Sequence, residues 1–265
     1  MRSTKLWHII YVEDNTSRVV SFKAMKDSTH KVPEVSKDLA DRIRLVRRDV
    51  GELLFHFTRT PKESTVSWSM PRGGQMTTSS SAFAVLRKIL YEGKLQGTST
   101  WTYGQKCVCF TEAPIMEFNS IFALVTIAAS KQERPRYEPY GVAVNKKWLF
   151  EKGGRPVIYD HPTTFQNLPK DFQYRFVPYN PAKGVDFTWE REWRIQTDAL
   201  QLDPKQTLII VPTAGEAFEV VYEFAEIKAD WDVEGSHGEP YISGAYHDPR
   251  WLAVSLDIFG FSYSP

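Results

Sequence analysis

The chain has 265 residues, 42% of them hydrophobic and 14% aromatic, which supplies a packed core and excludes global disorder. Its 33 Lys and Arg nearly balance its 32 Asp and Glu, and a net charge of +1 sets up no overall field for nucleic acid or an anionic membrane. Only two cysteines occur, Cys107 and Cys109, which on a strand would point to opposite faces and could not bridge, so a disulfide framework is excluded.

From the N-terminus, Leu6–Val12 and Arg18–Met25 read as strands of a hairpin around Glu-Asp-Asn-Thr-Ser. Val32-Pro33-Glu34 then opens a helix with Val35, Leu39, Ile43, Val46 and Val50 on one side and a basic face opposite. That face is read first as solvated and second as a contact for nucleic acid. Leu53–Thr58 is a short apolar strand. Lys62–Ser81, rich in Ser, Thr, Gly and Met, reads as a polar loop or lid. Phe83, Leu86, Ile89 and Leu90 make the stripe of a helix, with Gly93 as its C-cap.

Lys106–Thr111 is a buried strand ended by Glu112-Ala113-Pro114, and Met116–Ala129 an apolar helix or helical turn. Tyr140–Val144 and Pro156–Tyr159 are strands on either side of a helical turn at Lys146–Phe150. His161–Gly184 is polar, aromatic and proline-bearing, which predicts a long ordered loop. Gln206–Val211 is a strand, Gly215–Val221 a short helix, and Tyr222–Ile227 a further strand. Many short strands with few helices predict one mixed α+β domain over residues 1–265, with a bent, mainly antiparallel, split sheet. No stretch resembles a secretory leader, and the longest apolar run, Ile121–Ala129, is too short for a membrane span, so a cytoplasmic protein without membrane contact is expected.

Between the long loop and Gln206 lies the richest stretch, Asp186-Phe-Thr-Trp-Glu-Arg-Glu-Trp-Arg-Ile195. Read as an extended strand, it puts Glu190, Glu192 and Arg194 on one face and Arg191, Trp193 and Ile195 on the other. Trp193 and Ile195 suit the core, so the carboxylates and Arg194 are expected in a cleft or in solvent. The plain alternative is a solvated face with a cross-strand ion pair.

No phosphate-binding loop, dinucleotide fingerprint or nucleophile elbow is present, and the six histidines show no metal spacing. A four-part pattern does stand out. It consists of His56-Phe57-Thr58, the helix Leu86–Leu95 with Ile-Leu-x-x-Gly-x-Leu, Val108-Cys-Phe-Thr-Glu-x-Pro114, and Glu190-x-Glu192-x-Arg194.

In this order the motifs resemble the AbiGi abortive-infection family, over roughly residues 53–195. The His-x-Thr strand end followed by its helix also resembles DarT-type ADP-ribosyltransferases. The second resemblance implies NAD as a substrate, with His56 and Thr58 at a ribose and Phe110 or Thr111 on a nicotinamide-facing strand. It also implies Glu190 or Glu192 as the carboxylate that stabilises the oxocarbenium ion. Arg194 would hold the pyrophosphate or orient the glutamate, and Tyr103 and Tyr140 are candidate stacking residues. The acceptor would be a nucleic acid or a protein, in phage defence or a toxin–antitoxin pair with a cognate partner. A non-catalytic protein binding a toxin partner or a nucleotide signal is the alternative, and a nuclease a weaker third. The two main readings differ in one geometric respect: catalysis by this set needs Glu190 or Glu192 within reach of His56 across a pocket. Each residue also has a plain structural role open to it: His56, Phe110 and Tyr140 in the core, Thr58 and Thr111 as turn or cap residues, and Glu112 as a helix cap.

Overall fold

A computed structural model describes residues 36–37, 51–70, 73–100, 102–118, 120, 122, 137–233 and 240–261, with backbone only for 229–233 and 240–244. The chain divides into two units, Met1–Ile43 and Arg44–Pro265, and the elements below belong to the second. The expected N-terminal hairpin, nearly all of the following basic helix and most of the Met116–Ala129 segment lie outside the described residues.

The strands are β1 (Leu53–Phe57), β2 (Thr65–Ser69), β3 (Gln75–Ser79), β4 (Lys94–Gln96), β5 (Cys107–Thr111), β6 (Gly141–Asn145), β7 (Arg155–Pro156), β8 (Ile158–Asp160), β9 (Phe176–Pro178), β10 (Glu192–Gln196), β11 (Ala199–Gln201), β12 (Thr207–Val211), β13 (Ala225–Val233), β14 (Pro240–Pro249) and β15 (Leu252–Ser255). The helices are α1 (Ala82–Glu92), α2 (Lys146–Glu151), α3 (Lys170–Gln173) and α4 (Ala214–Glu223). Seven strands form one mixed sheet in the order β15-β12-β6-β1-β5-β10-β7, in which only β15 and β12 run parallel. The architecture is α+β, dominated by this sheet.

Period-two alternation assigns the two faces. Leu54, Val108, Phe110, Val142, Val144, Ile195, Ile209 and Val211 share a core with Leu86 and Leu90 of α1 and Val220 of α4. Phe55, Ala143 and Ile210 face the other way and pack with Phe118, Phe122, Leu256 and Phe261. Local signals place the two longer helices. The Ser81 hydroxyl accepts the Ala84 N–H at the start of α1, and Gly93 ends it in the left-handed region at φ 65°. Thr213 and Glu216 close a reciprocal capping box on α4.

Three expectations are corrected. The Lys62–Ser81 stretch is a hairpin, β2–β3, whose Val66 and Trp68 alternate inward against Ala84 of α1. Its polar composition concealed a period-two pattern. His161–Gly184 is no long loop: it contains 3₁₀ turns at Pro162–Asn167 and Pro181–Lys183 as well as α3 and β9. The strand expected from Asp186 begins only at Glu192, because Thr188–Glu190 is a 3₁₀ turn and Arg191 is left-handed at φ 45°. Glu190 therefore does not share a pleated face with Glu192.

Candidate functional site

Glu192 opens β10 opposite Thr111, and Arg194 lies opposite Cys109. The pair sits on one face, as alternation requires, but its surroundings differ from expectation. Arg194 is buried, at 4% exposure, rather than lining a cleft or facing solvent. Its Nε and Nη2 donate to Glu192 Oε1 and Oε2 at 2.7 and 3.1 Å. Its Nη1 donates to the carbonyls of Tyr174 and Phe176 at 2.8 and 3.1 Å. The planar guanidinium thus fixes the carboxylate in one orientation and ties it to the segment leading into β9. Opposite Arg194, Cys109 is half-buried, and desolvation together with the Glu192 charge raises its thiol far above the usual range, so it stays protonated.

Glu192 also borders a cleft of about 420 Å³, shared with Glu112, Tyr159, Thr188, Arg191 and Trp193. Glu112 does not cap a helix: its carboxylate accepts from Lys146 Nζ at 2.6 Å and from Trp193 Nε1 at 2.8 Å. The Tyr159 hydroxyl accepts the Glu192 backbone N–H at 2.9 Å. Burial pushes the Tyr159 phenol up to about 12, so it keeps its proton at neutral pH and can donate it in a hydrogen bond. One small cleft therefore combines two carboxylates, a phenol donor and the Arg191 cation.

The other expected residues divide between packing and a separate cavity. Thr58 is buried, with its hydroxyl directed at the carbonyls of Ala82 and Tyr140 at 2.9 and 3.0 Å, where it ties β1 to α1 and to the approach of β6. Thr111 donates to the Glu190 carbonyl and accepts the Ala113 N–H at 3.1 Å. Phe110 is 2% exposed and belongs to the core. Tyr140 is buried, packs on Phe83 and donates its hydroxyl to Glu216 at 2.6 Å. Tyr103 is exposed, left-handed at φ 54°, and stacked on Phe165 with centroids 4.1 Å apart. Glu190 is buried in its 3₁₀ turn, beside the polypeptide that Thr111 and Glu112 hold.

His56 sits edge-on to Phe110 on the face that carries α1. Glu192, opposite Thr111, faces the other way, because Thr111 is itself opposite Phe55. His56 borders a cavity that has no lining residue in common with the Glu192 cleft. The structure thus brings Glu192 together with Arg194, keeps Tyr103 on the Arg194 side against Phe165 and Phe176, and leaves His56 and Tyr140 elsewhere. Sequence reasoning missed Tyr159, and it treated Glu112 only as a cap. The position of Glu112 directly after a buried strand was the available signal, whereas Tyr159 lay in an unremarkable short strand.

Among the described residues, no group of His, Cys, Asp and Glu could hold a metal ion, and no helix is long and apolar enough to cross a membrane. No family model matches the chain, and no curated protein or solved structure matches it either.

Proposed function

We propose that the chain is an NAD-dependent, ADP-ribosyltransferase-like protein whose chemistry belongs to the Glu192 cleft alone, without the His56 contact that the resemblance implies. The observation that supports this reading is the Glu192 carboxylate itself, oriented by a buried arginine at the edge of a cleft of about 420 Å³. That volume falls within the range of about 300–1,000 Å³ usual for small-molecule sites and suits the nicotinamide–ribose half of NAD. In the reaction, the ribose C1′–N bond breaks and its electron pair neutralises the nicotinamide ring. The positive charge left on the sugar is stabilised by the fixed carboxylate. A nucleophile of the acceptor then bonds to C1′, and its proton passes to a cleft carboxylate or to water. Arg194 is a positioning residue here, with no free edge for a pyrophosphate while it holds Glu192. The acceptor is a nucleic acid or a protein, and the setting is phage defence or a toxin–antitoxin pair, as the resemblance implies.

A second reading has its own support. His56 and Glu192 face opposite sides of the sheet, and the charge of Glu192 is met by Arg194. Both features suit a non-catalytic protein that binds a nucleotide signal or a toxin partner.

Labelled NAD incubated with the purified protein, alone and with DNA, RNA or lysate, separates the two. Nicotinamide release and label transfer that collapse in Glu192→Gln, while its circular dichroism is retained, are the expected result. Undiminished turnover in that variant removes Glu192 from the mechanism. No turnover and no NAD binding by calorimetry leaves the binding reading.

A further inference from the structure

The cavity beside His56 has a chemistry of its own and does not depend on the Glu192 reading. It measures about 410 Å³ and lies between β1, the β2–β3 hairpin, α1 and β4. Val66 and Leu95, both nearly fully buried, and half-buried Val85 and Ile89 give it aliphatic walls. Glu63, Lys88, Glu92 and Lys94 also border it, two anions and two cations. Lys88 and Lys94 each lie 3.9 Å from Glu92. These charges cancel, so the cavity has no field that selects an anion.

The polar feature on the β1 side is His56. Its Nδ1 lies 2.7 Å from the Cys109 carbonyl, which can only accept, so Nδ1 carries the ring proton. Burial lowers its pKa and keeps the ring neutral, against the smaller opposing effect of that hydrogen bond. The lone pair is therefore on Nε2, at the opposite side of the ring from β5. No donor among the described residues meets it.

We propose that this cavity binds an uncharged heteroaromatic compound that presents an N–H donor to His56 Nε2, the chemistry of an amino-bearing nucleobase. The aliphatic walls cover the flat faces of such a ring, and the His56 acceptor on the β1 side reads its edge. A purely apolar guest would leave Nε2 unpaired, and an anion would find no net positive charge. The volume holds a nucleoside with its sugar toward the charged residues, where carboxylates can accept from hydroxyls.

The test is calorimetric titration of the full chain with adenosine, cytidine and N6,N6-dimethyladenosine, whose amino donors are gone. Saturable binding of adenosine or cytidine, with the dimethyl compound about tenfold weaker than adenosine or worse, is expected. His56→Phe removes the acceptor and should abolish binding. Val85→Phe fills the cavity while leaving the His56–Cys109 hydrogen bond in place, and it should do the same, so a folding defect in the first variant does not decide the matter. Equal affinity for adenosine and its dimethyl derivative overturns the proposal, as does binding that survives Val85→Phe. Failure of both nucleosides to bind at millimolar concentration also overturns it. Competition of bound nucleoside by NAD would assign the base to the dinucleotide, and its absence to a free nucleoside; either supports the site.

Discussion

The guanidinium of Arg194 directs hydrogen bonds to two carboxylate oxygens and two backbone carbonyls from a position that is 4% exposed. Removing one partner of a buried ion pair leaves the other charged and uncompensated, at a cost of about 3–5 kcal/mol. Arg194→Met is therefore expected to lower stability by about that much, because Glu192 loses its counter-charge and the carbonyls of Tyr174 and Phe176 lose a donor. The double change Arg194→Met, Glu192→Leu should cost less than Arg194→Met alone, since the stranded carboxylate is gone. Urea denaturation of the two variants checks the order, and equal or reversed midpoints would count against the strut. The alternation of Glu192, Trp193, Arg194 and Ile195 was legible in the sequence. What it could not show was that the Arg194 face would be roofed by the segment leading into β9, since that contact joins residues about 20 positions apart through no local pattern.

Strand boundaries depend on contacts of the same long-range kind. Glu190 and Glu192 look like one pleat in the sequence, yet Arg191 adopts φ 45° and the chain enters β10 from a 3₁₀ turn. That left-handed step lets the Glu112 N–H reach the carbonyls of Glu190 and Arg191, both at 3.3 Å, beside the Thr111 hydroxyl bond. By contrast the C-terminal end of α1 was legible from its local cap signal, Gly93, whereas Ser81, which caps the other end, reads in the sequence as the last residue of a polar loop. The β2–β3 hairpin lay between these cases: Val66 and Trp68 show the strand period, but Ser, Thr and Gly dominate the composition. The β1–β6 ladder has a requirement visible only in three dimensions. A Cβ on Gly141 would lie 2.3 Å from the His56 carbonyl oxygen and 3.0 Å from the Phe57 Cα. Gly141→Ala must therefore push the central strands apart, and overpacking of this kind costs roughly 1–3 kcal/mol. A lowered thermal midpoint is expected, and unchanged stability would mean that the two strands do not approach so closely.

Among the described residues, the Arg44–Pro265 unit is organised by one large sheet with a core on each face, and its C-terminal segment contributes to both. β15 pairs parallel with β12 at the sheet edge. Just before it, Trp251, 0% exposed, enters the core that α1 and α4 cover, and just after it Leu256 and Phe261 enter the opposite core. The sequence showed the aromatic residues of this tail but no periodic pattern, so their placement on two different faces was not legible. The arrangement makes the tail a clamp on the sheet rather than an appendage. Trp251→Ala should cost about 3–5 kcal/mol, the range for a large buried aromatic, while unfolding remains a single transition. Deletion of residues 251–265 removes an edge strand and anchors on both faces at once, and should abolish cooperative unfolding. The check is urea denaturation followed by tryptophan fluorescence and by far-ultraviolet circular dichroism. Coincident, steep transitions in the deletion variant would show that the two cores close without the clamp. Divergent or absent transitions there, beside a shifted but single one for Trp251→Ala, would establish that the tail couples the two faces on which the Glu192 cleft and the His56 cavity are built.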